Sequence, residues 1–311
     1  MKGTCPLPGP IADRGVGARR GLALRTVALG LMLLAGGTTA SAQSDVHHVA
    51  PAPQRIVSLT VCTDQLLLEL VPRERIAALS YLATDPTLSS KVEEARGFKS
   101  IHASAEEVVQ LAPDLVIAQQ YSMTPTVDLL RRLGYRVVLV PLGSDFDGLR
   151  NAIRTIAEAV GEKPRGEELI ASFDERVAAA APKGPERPTA LAYEVNSLVS
   201  GPGTLVDAAL AASGFRNAAR DMRLGPGGRL PLEEVVADPP DLIVLANAPD
   251  EFRSVVGDNL RHPAFTELVK RQASMRLAMP LWLCPTPELA EAVERLGRMR
   301  ETLISKGASH D

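Results

Sequence analysis

Cys62 and Cys284 each fall in a loop directly after an apolar run that reads as a strand. Two thiols so placed admit three chemistries: free sulfhydryls, a disulfide between them, or soft ligands for a metal. The third cysteine, Cys5, lies far upstream in a segment that reads as a removable leader. Imidazoles are sparse. His47 and His48 sit at the new N-terminus and His310 beside the C-terminus, which leaves His102 and His262 as scattered interior positions. A bare transition-metal site needs clustered imidazole and carboxylate ligands, so a receptor for zinc or manganese is a poorly supported alternative, and no resident cofactor or metal is expected. Covalent catalysis fares no better. The chain has no G-x-S-x-G elbow, no Walker-type glycine loop and no G-x-G-x-x-G after a strand. Gly201-Pro202-Gly203 opens a helix but lacks the lysine of a phosphate loop, and reads as a tight turn. An exported α/β enzyme with a cleft active site is a second alternative, one with no visible nucleophile and base.

The elements that position these residues alternate between short apolar runs and helical periodicity, the pattern of βα units and largely parallel sheets. Arg55–Leu59 reads as a strand, followed by a helix from about Thr63 with Asp64 near its start and Leu66, Leu67, Leu68 and Leu70 along it. Arg75–Leu79, Asp114–Ala118 and Tyr135–Val140 read as further strands. The middle is different. Leu149, Ile153, Ile156 and Val160 recur at helical spacing, Gly161–Pro164 interrupts them, and a second helix is expected over Gly166–Ala180. The βα pattern then restarts with a strand at Leu191–Val195, a helix at Leu205–Ser213, strands at Asp241–Leu245 and Arg276–Met279, and a helix from Pro287 to about Ser305.

The two βα blocks echo one another. Glu106-Glu107-Val108-Val109 followed by Pro113-Asp114-Leu115 recurs as Glu233-Glu234-Val235-Val236 followed by Pro240-Asp241-Leu242. In both copies an acid-started helix suits the positive dipole at its N-terminus, a proline ends it, and a wholly apolar strand enters a sheet covered on both faces. Two similar α/β lobes joined by helix account for this, with a ligand cleft outside the strand ends. The expected divisions are 1–42, 55–143, 144–185 (a helical connector) and 186–305.

Residues 1–42 carry an export pattern: Arg14, Arg19, Arg20 and Arg25, an apolar run from Val27 to Ala35, and Ala40-Ser41-Ala42 as a cleavage site. The run is about ten residues, half the roughly twenty of a membrane span. Arg19-Arg20 fits a twin-arginine signal as well as an ordinary one. Removing this segment takes away five basic residues and one acid, moving the net charge from −3 to about −7, which argues against nucleic acid as a partner.

Arg55-Ile56-Val57-Ser58-Leu59, the Thr/Asp-started helix, Arg75-Ile76-Ala77-Ala78-Leu79 and the Glu-Glu-Val-Val…Pro-Asp-Leu element resemble, in that order, the periplasmic binding proteins for vitamin B12 and iron chelates. The likeness runs from about Arg55 to Ser305. It implies an α/β, class III architecture: two Rossmann-like lobes with central, mostly parallel sheets, joined by a single long helix, here Gly166–Ala180. It also implies a monomer in the periplasm that performs no catalysis. Such a protein hands cobalamin, a ferric siderophore or haem to an ABC permease dimer with its ATPase. By the same resemblance Glu106 and Glu233 dock on the permease, and Tyr81 takes the place of an aromatic that B12 receptors present to the corrin. Tyr121, Trp282 and Tyr193 are further candidates to face the ligand, Cys62 and Cys284 stand at the cleft mouth, and Arg229 suits the carboxylates of a siderophore or haem.

Overall fold

Strands buried on both faces need no alternation, so the apolar runs around Val57, Val116 and Val244 fix where the sheets lie. The computed structural model describes residues 51–222, 224–246 and 258–307, so the expected signal at 1–42 lies outside the described residues. The first half runs β1 (Ile56–Ser58), α1 (Val61–Leu70), β2 (Ile76–Ser80), α2 (Val92–Ala95), β3 (Ser100–Ile101), α3 (Ala105–Gln110), β4 (Leu115–Gln119), α4 (Thr124–Arg132) and β5 (Val137–Val140). All five strands are parallel, in the order β3-β2-β1-β4-β5. The chain leaves β1 first to one side and then to the other, which creates the switch point where open α/β sheets bind ligands.

Two helices follow, α5 (Phe146–Val160) and α6 (Lys163–Ala179). The second half runs β6 (Thr189–Tyr193), β7 (Leu198–Ser200), α7 (Leu205–Ala212), β8 (Arg216–Asn217), β9 (Gly227–Arg229), α8 (Leu232–Ala237), β10 (Leu242–Leu245), α9 (Asp258–Arg261), α10 (Pro263–Arg271), β11 (Ser274–Arg276) and α11 (Leu289–Gly307). Its sheet has the order β11-β10-β6-β7-β9, with β8 also paired to β6. β7 is antiparallel to both β6 and β9, so β9 runs the same way as β6. The fold is therefore α/β, with two lobes built on mostly parallel sheets and joined through helix.

The echoed Pro-Asp pairs do more than end a helix. Asp114 accepts the backbone N–H groups of Gln54 and Arg55 at 2.6 and 3.0 Å, pinning the start of β1 beside β4. Asp241 accepts the Thr189 N–H and hydroxyl, both at 2.7 Å, and pins β6 beside β10 in the same way.

The outer faces of the two sheets have separate cores, one around Val57, Val116 and Leu130 and the other around Leu191, Ile243 and Phe265. The inner faces share one. Ile56 and Leu115 from the first sheet join Ala190 and Val244 from the second through α5, α6 and α11. The stripe Leu149, Ile153, Ile156 and Val160 is fully buried in this shared core, at roughly 1.5–3 kcal/mol per side chain. On the exposed side of α5, Arg150 and Arg154 reach across to Asp174 and Glu167 on α6.

Several boundaries differ from the sequence reading: the bridging helix starts at Lys163 and not Gly166, and the strand expected at Leu191–Val195 is Thr189–Tyr193. α1 begins at Val61, ahead of Thr63, because Thr60 is the extended residue that precedes the first turn. The last strand is Ser274–Arg276, which follows the edge of β10, while Met279–Leu281 turn back as a short 3₁₀ helix containing Pro280.

Candidate functional site

The carboxyl ends of the two sheets are brought together by one covalent bond. Cys62, at the start of α1 just past β1, forms a disulfide with Cys284, past β11, with Cα atoms 5.2 Å apart. The segment carrying Cys284 acts as a strap between β11 and α11. Pro285 packs on Gly143, where a Cβ would lie 2.8 Å from the proline ring. Glu288 meets Lys91 at 2.6 Å, and Lys91 also pairs with Glu69 at the end of α1. Burial opposes the Lys91 charge, but the hydrogen bonds it donates to Glu288 and Glu69 outweigh it and push its pKa up. Among the described residues, the buried side-chain atoms without a protein hydrogen-bond partner are Trp282 Nε1, Thr286 Oγ1 and Glu288 Oε2. All three lie on the strap, which the disulfide and the Lys91 pair fix in place.

Sequence reasoning placed Cys62 and Cys284 among ligand-facing residues. The structure corrects this: both sulfurs are consumed in the bridge, Cys62 is 7 % exposed and Cys284 0 %. Tyr193 and Trp282 are corrections too. Tyr193 lies on the same face of β6 as Leu191, points into the outer core against Phe265, and donates its hydroxyl to Ser197 Oγ at 3.0 Å. Trp282 is only 2 % exposed, because the 3₁₀ turn before it folds the ring into the shared core.

Tyr81 and Tyr121 are exposed at the ends of β2 and β4. Tyr81 stacks on His102, ring centroids 4.8 Å apart, because β2 and β3 are neighbours. His102 had no role in the sequence reading, since β3 is only two residues long and carries no apolar run. Glu107 accepts the backbone N–H groups of Ser104 and His102, and those bonds hold its carboxylate below its usual range.

Beneath this rim lies a polar floor. Asp64 is fully buried and accepts both the N–H and the hydroxyl of Ser80, the residue before Tyr81. Ser58 and Thr63 share a hydrogen bond of 2.7 Å alongside. Burial pushes the Asp64 carboxyl up to about 7, against the opposing hydrogen bonds from Ser58 and Ser80.

Backbone strain gathers at the same edge. Among the described residues six non-glycines have positive φ, and Ala103, Tyr121, Met123, Asn196 and Ser197 lie just past β3, β4 and β6. Left-handed non-glycine backbone costs of order 1–3 kcal/mol and concentrates where ligands are clamped. The cavity of about 400 Å³ between α6 and α11, lined by Arg176, Lys183 and Arg298, lies instead on the helical spine. No group of three or more His, Cys, Asp or Glu side chains among the described residues is placed to hold a metal ion, and no described helix is long and apolar enough to cross a membrane.

Glu106 and Glu233 occupy the same position, second in α3 and α8, and both are exposed. Their helices start differently. Ser104 and Glu107 form a reciprocal capping box on α3, whereas Pro231 begins α8 with no side-chain cap.

Residues 56–268 match the model of a family described as periplasmic binding protein. The chain belongs to that family. Among the curated relatives of this periplasmic binding protein is a cobalamin-binding protein of Halobacterium salinarum, 29% identical over 205 residues, covering 64% of this chain and 56% of the relative. A probable siderophore-binding lipoprotein of Bacillus subtilis is 26% identical over 144 residues, 45% of this chain and 43% of the relative. The chain thus spans about half the length of the curated relatives it matches. A periplasmic haem-binding protein from a Roseiflexus species superposes with TM-score 0.65 at 24% identity, over 80% of this chain and 98% of the other. The periplasmic vitamin B12-binding protein of Vibrio cholerae superposes with TM-score 0.61 at 15% identity, over 81% and 98%. At these identities the likeness to solved structures carries the fold.

Proposed function

We propose that this periplasmic binding protein captures a metal chelate (cobalamin, a ferric siderophore or haem) between the carboxyl edges of its two sheets. In this reading it is a monomer that delivers the chelate unchanged to an ABC permease dimer powered by its ATPase. The observation that carries the reading is the convergence of both carboxyl edges at Cys62–Cys284, with the Tyr81–His102 stack exposed at the ends of β2 and β3. An aromatic pair offers a planar chelate an apolar face, and Tyr121 presents a second ring. The disulfide supports an oxidising compartment, and hence export to the periplasm with removal of 1–42. Lobes bounded at 55–143 and 186–305 with a connector at 144–185 fit the same reading.

Titration calorimetry of the mature chain with cobalamin, haem and several ferric siderophores tests this directly. Micromolar or tighter binding of one of them is expected, and no binding to any of them overturns the reading. Glu106 and Glu233 are proposed to dock on the permease. Glu106→Ala with Glu233→Ala should leave chelate affinity unchanged and abolish uptake; normal uptake by the double variant would remove the docking role.

A further inference from the structure

Three side chains form a row on the second sheet whose chemistry narrows the ligand class, on the reading that a chelate binds here. Glu194 follows directly on β6, and its N–H donates to Leu198 O at 2.9 Å. Tyr193 pairs with Val199, which sets Glu194 opposite Leu198, and Leu198 pairs in turn with Arg229 on β9. Residues opposite one another across strands share a face. Glu194, Leu198 and Arg229 therefore project from the same face at the carboxyl edge, over two strand spacings or roughly 10 Å. That face is the inner one: Ala190 and Ala192, in register with Glu194, belong to the core shared by both lobes, while Leu191 and Tyr193 point the other way.

The row is exposed at its centre and far end. Leu198 is 39 % exposed and Arg229 is exposed, with no ion-pair partner among the described residues. Glu194 is half-buried, and its side chain accepts one hydrogen bond, from Ser200 Oγ at 3.3 Å. Burial holds its carboxyl above the usual range, with only the Ser200 bond opposing. The loop is fixed rather than slack. Asn259 donates to Glu194 O at 2.8 Å and accepts the Asn196 N–H at 3.1 Å, and Asn196 and Ser197 are held at positive φ.

We propose that this acid, aliphatic and base row recognises primary carboxamides on the rim of the chelate. A carboxamide carries an N–H donor for Glu194 and a C=O acceptor for Arg229, and its methylene stem packs on Leu198. A rim of carboxylates would satisfy Arg229 but meet like charge at Glu194, a repulsive element of the kind that sets specificity. The row therefore selects an amide-fringed corrinoid over haem, whose rim carries two carboxylates.

The test titrates the mature chain with dicyanocobinamide, with the same corrinoid after hydrolysis of its amides to carboxylates, and with haem. The amide form should bind at least about 10-fold tighter than the acid form, the range expected for one mispaired charged contact. Glu194→Gln should raise affinity for the acid form and collapse that ratio toward one, while Arg229→Gln weakens both corrinoids. Equal affinity of the wild-type chain for the two forms, or a ratio that Glu194→Gln leaves unchanged, overturns the proposal. Binding of haem with neither corrinoid bound overturns it too but leaves the chelate-binding reading standing. If haem, both corrinoids and the ferric siderophores all fail to bind, that reading falls as well.

Discussion

Each lobe places an aspartate in the first turn of the helix that follows its first strands, and the two lobes treat that charge in opposite ways. In the first lobe Asp64 reaches from α1 to Ser80 on the neighbouring β2, with hydroxyls and a backbone N–H as its partners. In the second, Asp207 reaches from α7 to Asn217 on β8 at 3.1 Å, but Arg220 also clasps it through two nitrogens, at 2.6 and 3.1 Å. The connection between helix and next strand is the same; the compensation is not. A buried acid without a cation is cheapest when protonated, whereas a bidentate guanidinium compensates the carboxyl's burial directly. The first lobe thus keeps its cleft floor close to neutral under Tyr81, and the second puts a formal ion pair at the base of its sheet.

The largest effect should come from cutting the bond that ties the carboxyl edges of the two lobes together. Cys62→Ser with Cys284→Ser should lower unfolding stability by about 3–5 kcal/mol, as expected for a bridge closing a long loop. Reductant should lower the denaturation midpoint of the wild-type chain and leave the double variant unaffected. An unchanged midpoint in both would mean that the shared core alone couples the lobes.

The next test concerns Asp64. Its folded pKa is raised from 3.8 to about 7, so between those values the folded state holds a proton that the unfolded state has lost. Stability from this group is then full below pH 4, falls as pH rises toward 7 and is flat above, by up to about 4 kcal/mol in all. Asp64→Asn should remove that slope, and its midpoint at pH 8 should equal or exceed that of the wild-type chain. A steep slope persisting in the variant would place the titration elsewhere. The matching change in the second lobe has the opposite sign. Arg220→Ala strands a buried carboxylate and should cost about 1–3 kcal/mol at pH 8, discounted because Arg220 is half exposed.

The smallest effect sharpens the contrast between the echoed helices. Ser104→Ala removes the capping box of α3 and should cost about 1 kcal/mol, visible as a small drop in the thermal midpoint. Pro231→Ala on α8, where no side chain caps the helix, should cost less.

What the sequence disclosed follows from how each part is buried. The cores of β1, β4 and β10 lie inside continuous apolar runs, and the stripe on α5 keeps helical spacing, so both were legible. The Glu-Glu-Val-Val…Pro-Asp echo was legible as a repeat, but the role of Asp114 and Asp241 as acceptors for the first strand of each lobe was not, since it depends on which strands are neighbours. β3, β7, β8 and β9 went unread because they are two or three residues long, and Gly227-Gly228-Arg229 has no apolar residue at all. Missing β3 hid the His102 stack, and missing β7 and β9 hid the alignment of Glu194 with Arg229. Tyr193 shares parity with Leu191, a clue to its burial that counting aromatics overlooks. Trp282 offered no such clue, because a short turn and not a strand decides where its ring goes.

The disulfide also sets an order on the birth of the molecule. Cys62 and Cys284 stand 222 residues apart, so in a chain that enters an oxidising compartment N-terminus first, the first thiol arrives well ahead of its partner. The first sheet takes all five of its strands from residues 56–140 and can assemble in that interval with Cys62 still a thiol. Oxidation is then the closing act of maturation, and it reports on completion: a chain cut short before residue 284 has nothing with which to seal the first lobe.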